Sequence, residues 1–509
     1  MKKILVLLLC AVMFFTFSAC SENQAKTVLN ISGGPVVEIE GNANADFKDG
    51  VLTVSHSDTS YLSNVTVDGE SVWLTDGSYE MGSCDENTTV EITAKEKNSN
   101  EQDYSVSSVI LSIYDSKTNS YSVTWHTPVA DSQKAELVSS DGDTLKTVWA
   151  YCDDGNSDFV NRAVFYNLDY NKDYSYNIYN SSGKPIFTSE FKTGEADPKS
   201  ITFMHISDTQ DEDYNGEVWA ELMGDAYNHT QSLDFIIHTG DMVQHGGDET
   251  EWTQMLSGVE GYVSSVPTML TSGNHSYWED YTYGYKNIEY NHTTVNMPEQ
   301  NYENGIYYSF DYGDVHFAVL SSGDSEKTGV GKEQRKWLEN DLSSTDKKWK
   351  IVAIHNPLYS TGKYGSSSDR NKIARSQQVK LGEIFNEYGV DLVLQGHDHV
   401  FALTKPMDEK RNPIECSIVT ENINGVEYNC FENPQAPIYL MSAAGGSQNR
   451  EPVDTYEPLW FENNKSIPDN SAGYSVITVS GDMLYSTFYQ YDYASNTVTD
   501  TYSWGISCE

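Results

Sequence analysis

The chain has 509 residues, 75 acidic against 32 basic, for a formal charge of −43. So large an acidic excess excludes a nucleic-acid duplex as the surface it reads and makes an anionic membrane face an unfavourable partner. Small phosphate esters stay open, because bound cations reverse the local field. The length predicts two to four domains and a core large enough to bury a site.

Lys2 and Lys3 followed by the apolar run Ile4 to Phe17 mark residues 1–19 as a targeting segment, kept out of the fold. Phe17-Ser-Ala-Cys20 resembles the bacterial lipoprotein processing site. That resemblance implies a lipid on Cys20, attachment to a membrane through it, and an extracytoplasmic body. An ordinary secretory peptide cut nearby is the alternative. Residues 20–104 alternate apolar and polar positions in short runs, such as Val36-Val-Glu-Ile-Glu40 and Val51-Leu-Thr-Val-Ser55. They read as a small β domain ending in the charged linker Lys95–Asp103. Residues 105–196 continue in β texture, with Val109-Ile-Leu-Ser-Ile, Ser122-Val-Thr-Trp125 and Tyr174-Ser-Tyr-Asn-Ile-Tyr179. Turn residues at short intervals predict a sandwich with Trp125 and the tyrosines in its core.

After Asp197-Pro198 strands and helices alternate. Trp219, Leu222, Met223 and Ala226 recur at helical spacing; Trp337, Leu338 and Leu342 mark a second helix, and Ile373 to Tyr388 a third. Beyond Phe401 the texture is β again, at Pro437–Ser442, Tyr474–Val479 and Met483–Phe488, and residues 496–509 are expected to be a C-terminal tail. Such βαβ texture over 197–495 argues for sheets covered by helices. Of seven cysteines, none shows the close spacing of a metal site, and Cys416 with Cys430 flanks an Asn-Gly turn that a disulfide would staple.

Four short pieces follow buried strand-like runs: Ser207-Asp208-Thr209-Gln210, Gly240-Asp241, Gly273-Asn274-His275 and Gly396-His397-Asp398-His399. A fifth, Ile351-Val-Ala-Ile-His355, repeats the arrangement with a single His. Strand ends are where open α/β sheets place ligands, so these side chains are expected on one rim. Carboxylates, an amide and imidazoles form a borderline donor set that suits Mn, Zn or Fe better than Ca or Mg. Six ligands exceed one tetrahedral ion but suit two divalent ions about 4 Å apart, sharing a carboxylate.

In this order the pieces resemble the calcineurin-like metallophosphoesterases. Tyr307-Tyr-Ser-Phe-Asp-Tyr-Gly-Asp314, His355-Asn-Pro-Leu-Tyr359 and Gly396-His-Asp-His-Val-Phe401 are similar to the purple acid phosphatase branch in particular, and 105–196 resembles the fibronectin type III-like module that precedes its catalytic domain. The resemblance implies a fold of two facing mixed sheets flanked by helices, an α/β metallophosphoesterase sandwich, preceded by all-β sandwich domains. It also implies a site in which Asp208 and His399 hold one metal, Asp241 bridges, and Asn274, His355 and His397 hold the other.

Two positions depart from the branch. Gln210 stands where many members carry His, giving the first metal a neutral amide oxygen, or a water, in place of imidazole, with weaker binding expected there. Gln244 stands where the purple branch carries a tyrosinate, so stable ferric iron and its colour are not expected. The implied reaction is hydrolysis of a phosphate monoester: a hydroxide bridging the metals, its pKa lowered from ~15.7 towards ~7, attacks phosphorus in line. His275 is the implied general acid, although Ser276 stands where an acidic partner is common.

Of the remaining residues, His205 and His238 read as structural, and His245 lies within reach of the pocket. Tyr277, Trp278, Asn356 and Tyr359 flank ligand positions as candidate pocket lining, while Arg370 and Arg375 read as solvated helix residues rather than a phosphate clamp. Two alternatives to a phosphomonoesterase stay open. One is an extracellular phosphodiesterase or nucleotidase; the other is a non-catalytic surface binding protein with a degenerate phosphoesterase domain.

Overall fold

The computed structural model describes residues 26–31, 34–97, 105–155, 158–211, 215–230, 232–276, 292, 307–323, 329–363, 372–453, 458–468 and 470–508. The targeting segment with Cys20, most of the linker, Tyr277, Trp278, Arg370 and the side chain of Arg375 lie outside them.

Alternation of apolar and polar residues builds the front of the chain into sheets. Thr27–Asn30, Val36–Glu40, Thr89–Glu96, Ser60–Val67 and Glu70–Ser71 form a five-stranded sheet, and Ala43–Lys48, Val51–His56 and Ser78–Glu80 a three-stranded one. Lys95 and Glu96, expected in the linker, end a strand instead. Residues 107–192 form two four-stranded sheets whose shared interior holds fully buried Trp125, its indole N–H donating to Gln133 Oε1 at 2.7 Å. Trp73 stacks on Tyr151 with ring centroids 5.6 Å apart, so the two front units share apolar surface.

From Ser200 the chain forms two larger mixed sheets. One is eight-stranded, in the order Thr268–Leu270, Phe235–His238, Ser200–Ile206, Ser471–Ser480, Met483–Asp492, Thr497–Ser507, Val426–Glu432, Ile418–Ile423. The other is seven-stranded, in the order Tyr308–Tyr312, Val315–Leu320, Trp349–Ile354, Leu392–Gln395, Ile438–Ser442, Phe401–Thr404, Phe461–Lys465. Phe203 meets Phe317 edge to face at 5.4 Å, and Phe401 meets Phe488 at 4.2 Å, joining the sheets through one core. Helices Glu217–Thr230 and Glu249–Val263 go with the first sheet. Helices Lys332–Ser344 and Lys372–Glu387 go with the second, where Leu338, Leu342, Leu381, Ile384 and Phe385 are buried in a separate core.

Two expectations need correction, and one helix stands where none is expected. The stretch 496–509 is not a tail: Thr497–Ser507 alternates β-branched and aromatic residues, buries Trp504 and Ile506, and is hydrogen-bonded on both edges. Cys416 and Cys430 are both free thiols. Cys430 faces Gly505, whereas Cys416 lies before the hairpin with its sulfur 3.2 Å from the Glu432 carbonyl; the turn itself, Asn424-Gly425, has positive φ at both residues and needs no staple. Helix Glu249–Val263 was not expected, although Trp252, Met255, Leu256, Val259 and Val263 bury one face and Asp248 caps it by accepting from Thr250 and Glu251.

The sandwich at 107–192 seats against the half of the chain from Ser200 onward through polar contacts at strand and helix ends. Tyr176 OH donates to Ser264 O at 2.8 Å, and Ser112 Oγ to Thr268 O at 3.0 Å. Among the described residues no helix is long and apolar enough to cross a membrane.

Candidate metal centre

Ser200–Ile206, Phe235–His238 and Thr268–Leu270 run parallel in one sheet, and Val315–Leu320, Trp349–Ile354, Leu392–Gln395 and Ile438–Ser442 in the other. All point their C-terminal ends to one edge. Asp208, Asp241, Asn274, His355, His397 and His399 lie one to four residues past the ends of strands Ser200–Ile206, Phe235–His238, Thr268–Leu270, Trp349–Ile354 and Leu392–Gln395, and so the chain brings them together.

The local backbone there is unusual. Asp208, Asp241, His397 and His399 all adopt left-handed φ, at 53°, 54°, 78° and 56°. A side chain in that region costs about 1–2 kcal/mol, so four donor residues bent this way mark a place where the fold tolerates strain to aim side chains. Close approach needs glycine beside them. At Gly240, φ is 95° and a Cβ would sit 2.8 Å from Nδ1 of His355; at Gly396 it would sit 2.1 Å from Ser207 Oγ and 2.9 Å from Asp208 Oδ2.

Two donor groups result. Around Asp241, donor atoms of Asp241, His355 and His397 all lie within 4.8 Å of one another, with His355 Nε2 3.0 Å from Asp241 Oδ2. The side-chain amide of Asn274 lies 3.0 Å from His355 Nε2 and 3.2 Å from Asp241 Oδ2. Around Asp208, His399 Nε2 lies 3.2 Å from Oδ1, and the His397 main-chain N–H donates to both carboxylate oxygens at 3.0 and 2.8 Å. Gln210, two residues after Asp208, donates its main-chain N–H to Asp241 O at 3.3 Å.

The rings are oriented by carbonyls. His355 Nδ1 donates to Thr239 O at 2.8 Å and His399 Nδ1 to Gln448 O, which leaves both Nε2 atoms facing the carboxylates. Burial works against the charge on Asp208 and Asp241. His399 outweighs it for Asp208, and His355 with His275 for Asp241, so both stay below the ordinary carboxylate range. Burial likewise lowers His355, yet Asp241 and then Asp208 push it up to about 9, whereas burial takes His397 down to about 3. The field therefore draws positive charge to this spot and leaves a neutral imidazole beside it.

These residues fit divalent cations on their own chemistry. Gln210 is fully buried with neither Oε1 nor Nε2 hydrogen-bonded. A positive ion beside Oε1 would satisfy that acceptor.

His275 sits beside the Asp241 group. Its N–H donates to Asp241 Oδ1 at 2.8 Å, and its Nε2 is 3.9 Å from Oδ2. In place of an acidic neighbour, Nδ1 of His275 donates to the carbonyl of Gln244 at 2.7 Å, while Ser276 Oγ accepts from Gly273 N at 3.2 Å.

His205 and His238 are buried among hydroxyls and pushed down to about 3 by burial: His205 Nδ1 lies 2.8 Å from Ser442 Oγ and His238 Nε2 2.9 Å from Thr209 Oγ1. His245 is half-exposed and paired with Glu251 Oε2 at 3.0 Å. Asn356 Oδ1 accepts from Ser322 Oγ at 2.6 Å, and Tyr359 is buried against Tyr439 at 4.7 Å, in the core rather than lining a pocket.

The loop after Ile438–Ser442 was missed. Gly445 N and Gly446 N donate to Ser207 O and Asp208 O at 2.7 and 3.0 Å, and Gln448 orients His399. Arg450 donates from its main chain to His399 O at 3.1 Å and from Nη1 to His397 O at 3.3 Å. Gly-Gly following one more buried strand was the available signal.

Residues 201–401 form a calcineurin-like phosphoesterase domain, matching the family of that description. The relatives are acid phosphatases by name. The chain is 29% identical over 211 residues to purple acid phosphatase 23 of Arabidopsis thaliana, covering 40% of each protein. It is 31% identical over 197 residues to probable inactive purple acid phosphatase 24 of the same plant, covering 36% of this chain and 31% of that one. Human acid phosphatase type 7 is 26% identical over 233 residues, 43% of this chain and 49% of the relative. The chain thus spans about a third to a half of the length of these curated relatives. Among solved structures, the purple acid phosphatase PPD1 from yellow lupin (Lupinus luteus) seeds superposes with TM-score 0.63 at 17% identity, over 90% of this chain and 81% of that one. PhoD gives TM-score 0.56 at 15% identity, over 77% and 91%. Both share the fold.

Proposed function

We propose that the chain is a phosphomonoesterase working with two divalent cations, one held by Asp208, His399 and Gln210, the other by Asn274, His355 and His397, with Asp241 between them. The observation that carries this reading is the gathering of these side chains, four of them on left-handed backbone, at one sheet edge. Cations bound there supply Lewis acidity and lower the pKa of a coordinated water. The chain's own part is orientation and proton transfer. Carbonyls of Thr239 and Gln448 keep His355 and His399 with Nε2 inward. His275, its Nδ1 held by Gln244, presents Nε2 to give a proton to the departing alkoxide.

The test is direct. Chelator-stripped protein resupplied with Mn, Zn or Fe takes up two ions per chain and hydrolyses an aryl phosphate; a bis-aryl phosphate reports the diesterase alternative. No hydrolysis of either, with Asp241→Asn equal to wild type, favours a binding protein instead, a reading supported by Gln210, Ser276 and relatives named inactive. We further propose that Cys20 carries lipid and holds the protein outside the cytoplasm, checked by whether Cys20→Ala moves it from the membrane to the soluble fraction.

A further inference from the structure

We propose that Gln244 is a positioning residue that ties together the imidazole beside Asp208 and the one beside Asp241 through a single hydrogen-bonded strap. Its main-chain carbonyl accepts from Nδ1 of His275 at 2.7 Å. Its side-chain Oε1 accepts from Nε2 of Gln448 at 3.0 Å, and the carbonyl of Gln448 accepts from Nδ1 of His399. A carbonyl only accepts, so both rings carry a proton on Nδ1 and turn Nε2 inward.

The strap is anchored at its base. The buried carboxylate of Glu251 accepts from the main-chain N–H of Gln244 and from that of His245 at 3.2 Å, and Glu251 stands in the first turn of a helix capped by Asp248. Gly246 N closes the loop onto His275 O at 2.9 Å. The amide oxygen of Gln244, committed to Gln448, thus orients the site from outside its ring of donors. Neither neighbour in sequence nor either histidine motif accounts for this contact; it spans 204 positions of chain.

The inference rests on the two-cation reading, and its test separates the two. Gln244→Leu and Gln448→Leu each remove one half of the amide pair, and both side chains are partly exposed, so the variants keep the core intact. Cobalt(II) is titrated into chelator-stripped full-length protein and followed by calorimetry and by the visible absorption of the bound ion. Expected is a loss of about tenfold in affinity for one of the two cations in each single variant, with a changed cobalt spectrum, the size usual when a partner orienting a metal-bound histidine is removed. The double variant loses no more than either single one, because the two residues act as one unit. Gln244→Glu keeps an acceptor facing Gln448 and restores the affinity. Single variants equal to wild type, losses that add in the double variant, or Gln244→Glu as weak as Gln244→Leu overturn the strap while leaving the proposed function standing. A wild type that takes up no cobalt overturns both.

Discussion

Nε2 of His355 and Oδ2 of Asp241 lie 3.0 Å apart, and neither side chain reaches solvent. The high proton affinity of His355, up to about 9, depends first on outweighing burial with the charge of Asp241. Asp241→Asn removes that charge and one shared donor. Expected is loss of bound metal by elemental analysis and a fall of about 10³-fold or more in kcat/KM, corresponding to the several kcal/mol a Lewis acid contributes.

His275→Asn separates proton donation from metal binding, since His275 touches Asp241 through its main chain at 2.8 Å whichever side chain it carries. With an alkyl phosphate, whose alkoxide needs a proton, kcat falls about 10²- to 10⁴-fold. With a nitrophenyl phosphate the loss is much smaller, and metal content stays at the wild-type value. Equal losses on both substrates would remove His275 from the role of acid.

Away from the centre, His316 is clamped between Asp311 and Asp341, Nδ1 at 2.7 Å and Nε2 at 2.8 Å from the carboxylates, fixing helix Lys332–Ser344 to the sheet. Burial lowers its pKa, and the two carboxylates more than reverse this, to about 9. A raised histidine contributes stability that is fully present below ~6.5 and is lost as pH climbs through about 9. Asp311 is lowered, with burial opposing and His316 prevailing, so its share is lost instead in acid. Chemical denaturation of wild type and His316→Gln should differ by about 3 kcal/mol at pH 6 and converge towards pH 10. A gap that does not narrow between those pH values would show that the clamp is not charged.

Gly240→Ala tests the packing behind the ligands. A methyl group there meets His355 Nδ1 at 2.8 Å and the Gly273 main chain at 2.9 Å, on a backbone with φ of 95°. Expected is a destabilisation of about 2 kcal/mol or more by thermal melting, with weakened metal uptake, because His355 must shift.

Much of the site was legible because its chemistry is carried by residue type. Asp208, Asp241, Asn274, His355, His397 and His399 each end a buried apolar run, and that juxtaposition is visible in the letters. What stayed hidden acts through the main chain. Gln448 offers a carbonyl, Gly445 and Gly446 offer N–H groups, and Glu251 receives N–H groups, roles that nearly any residue type fills. The missed helix Glu249–Val263 did carry a clear period in Trp252, Met255, Leu256 and Val259. Tyr359, next to a donor motif, points into the core, since adjacency in sequence does not give the side of the strand end a ring will take. The last strand went unread because Thr497–Ser507 mixes Thr, Asp and Gly among its aromatics, and only pairing on both edges makes it sheet.

That strand, and the one at Ser471–Ser480, govern the order in which a nascent chain reaches its final shape. Thr202 of the strand leading to Asp208 meets Thr478, 276 positions later, and Thr497–Ser507 fills the gap between Met483–Asp492 and Val426–Glu432. During synthesis the strand behind Asp208 waits with one edge unpaired for most of the domain's length, a slow, non-local closure. Until residue 507 has been added, those β edges stay open to pairing with other chains.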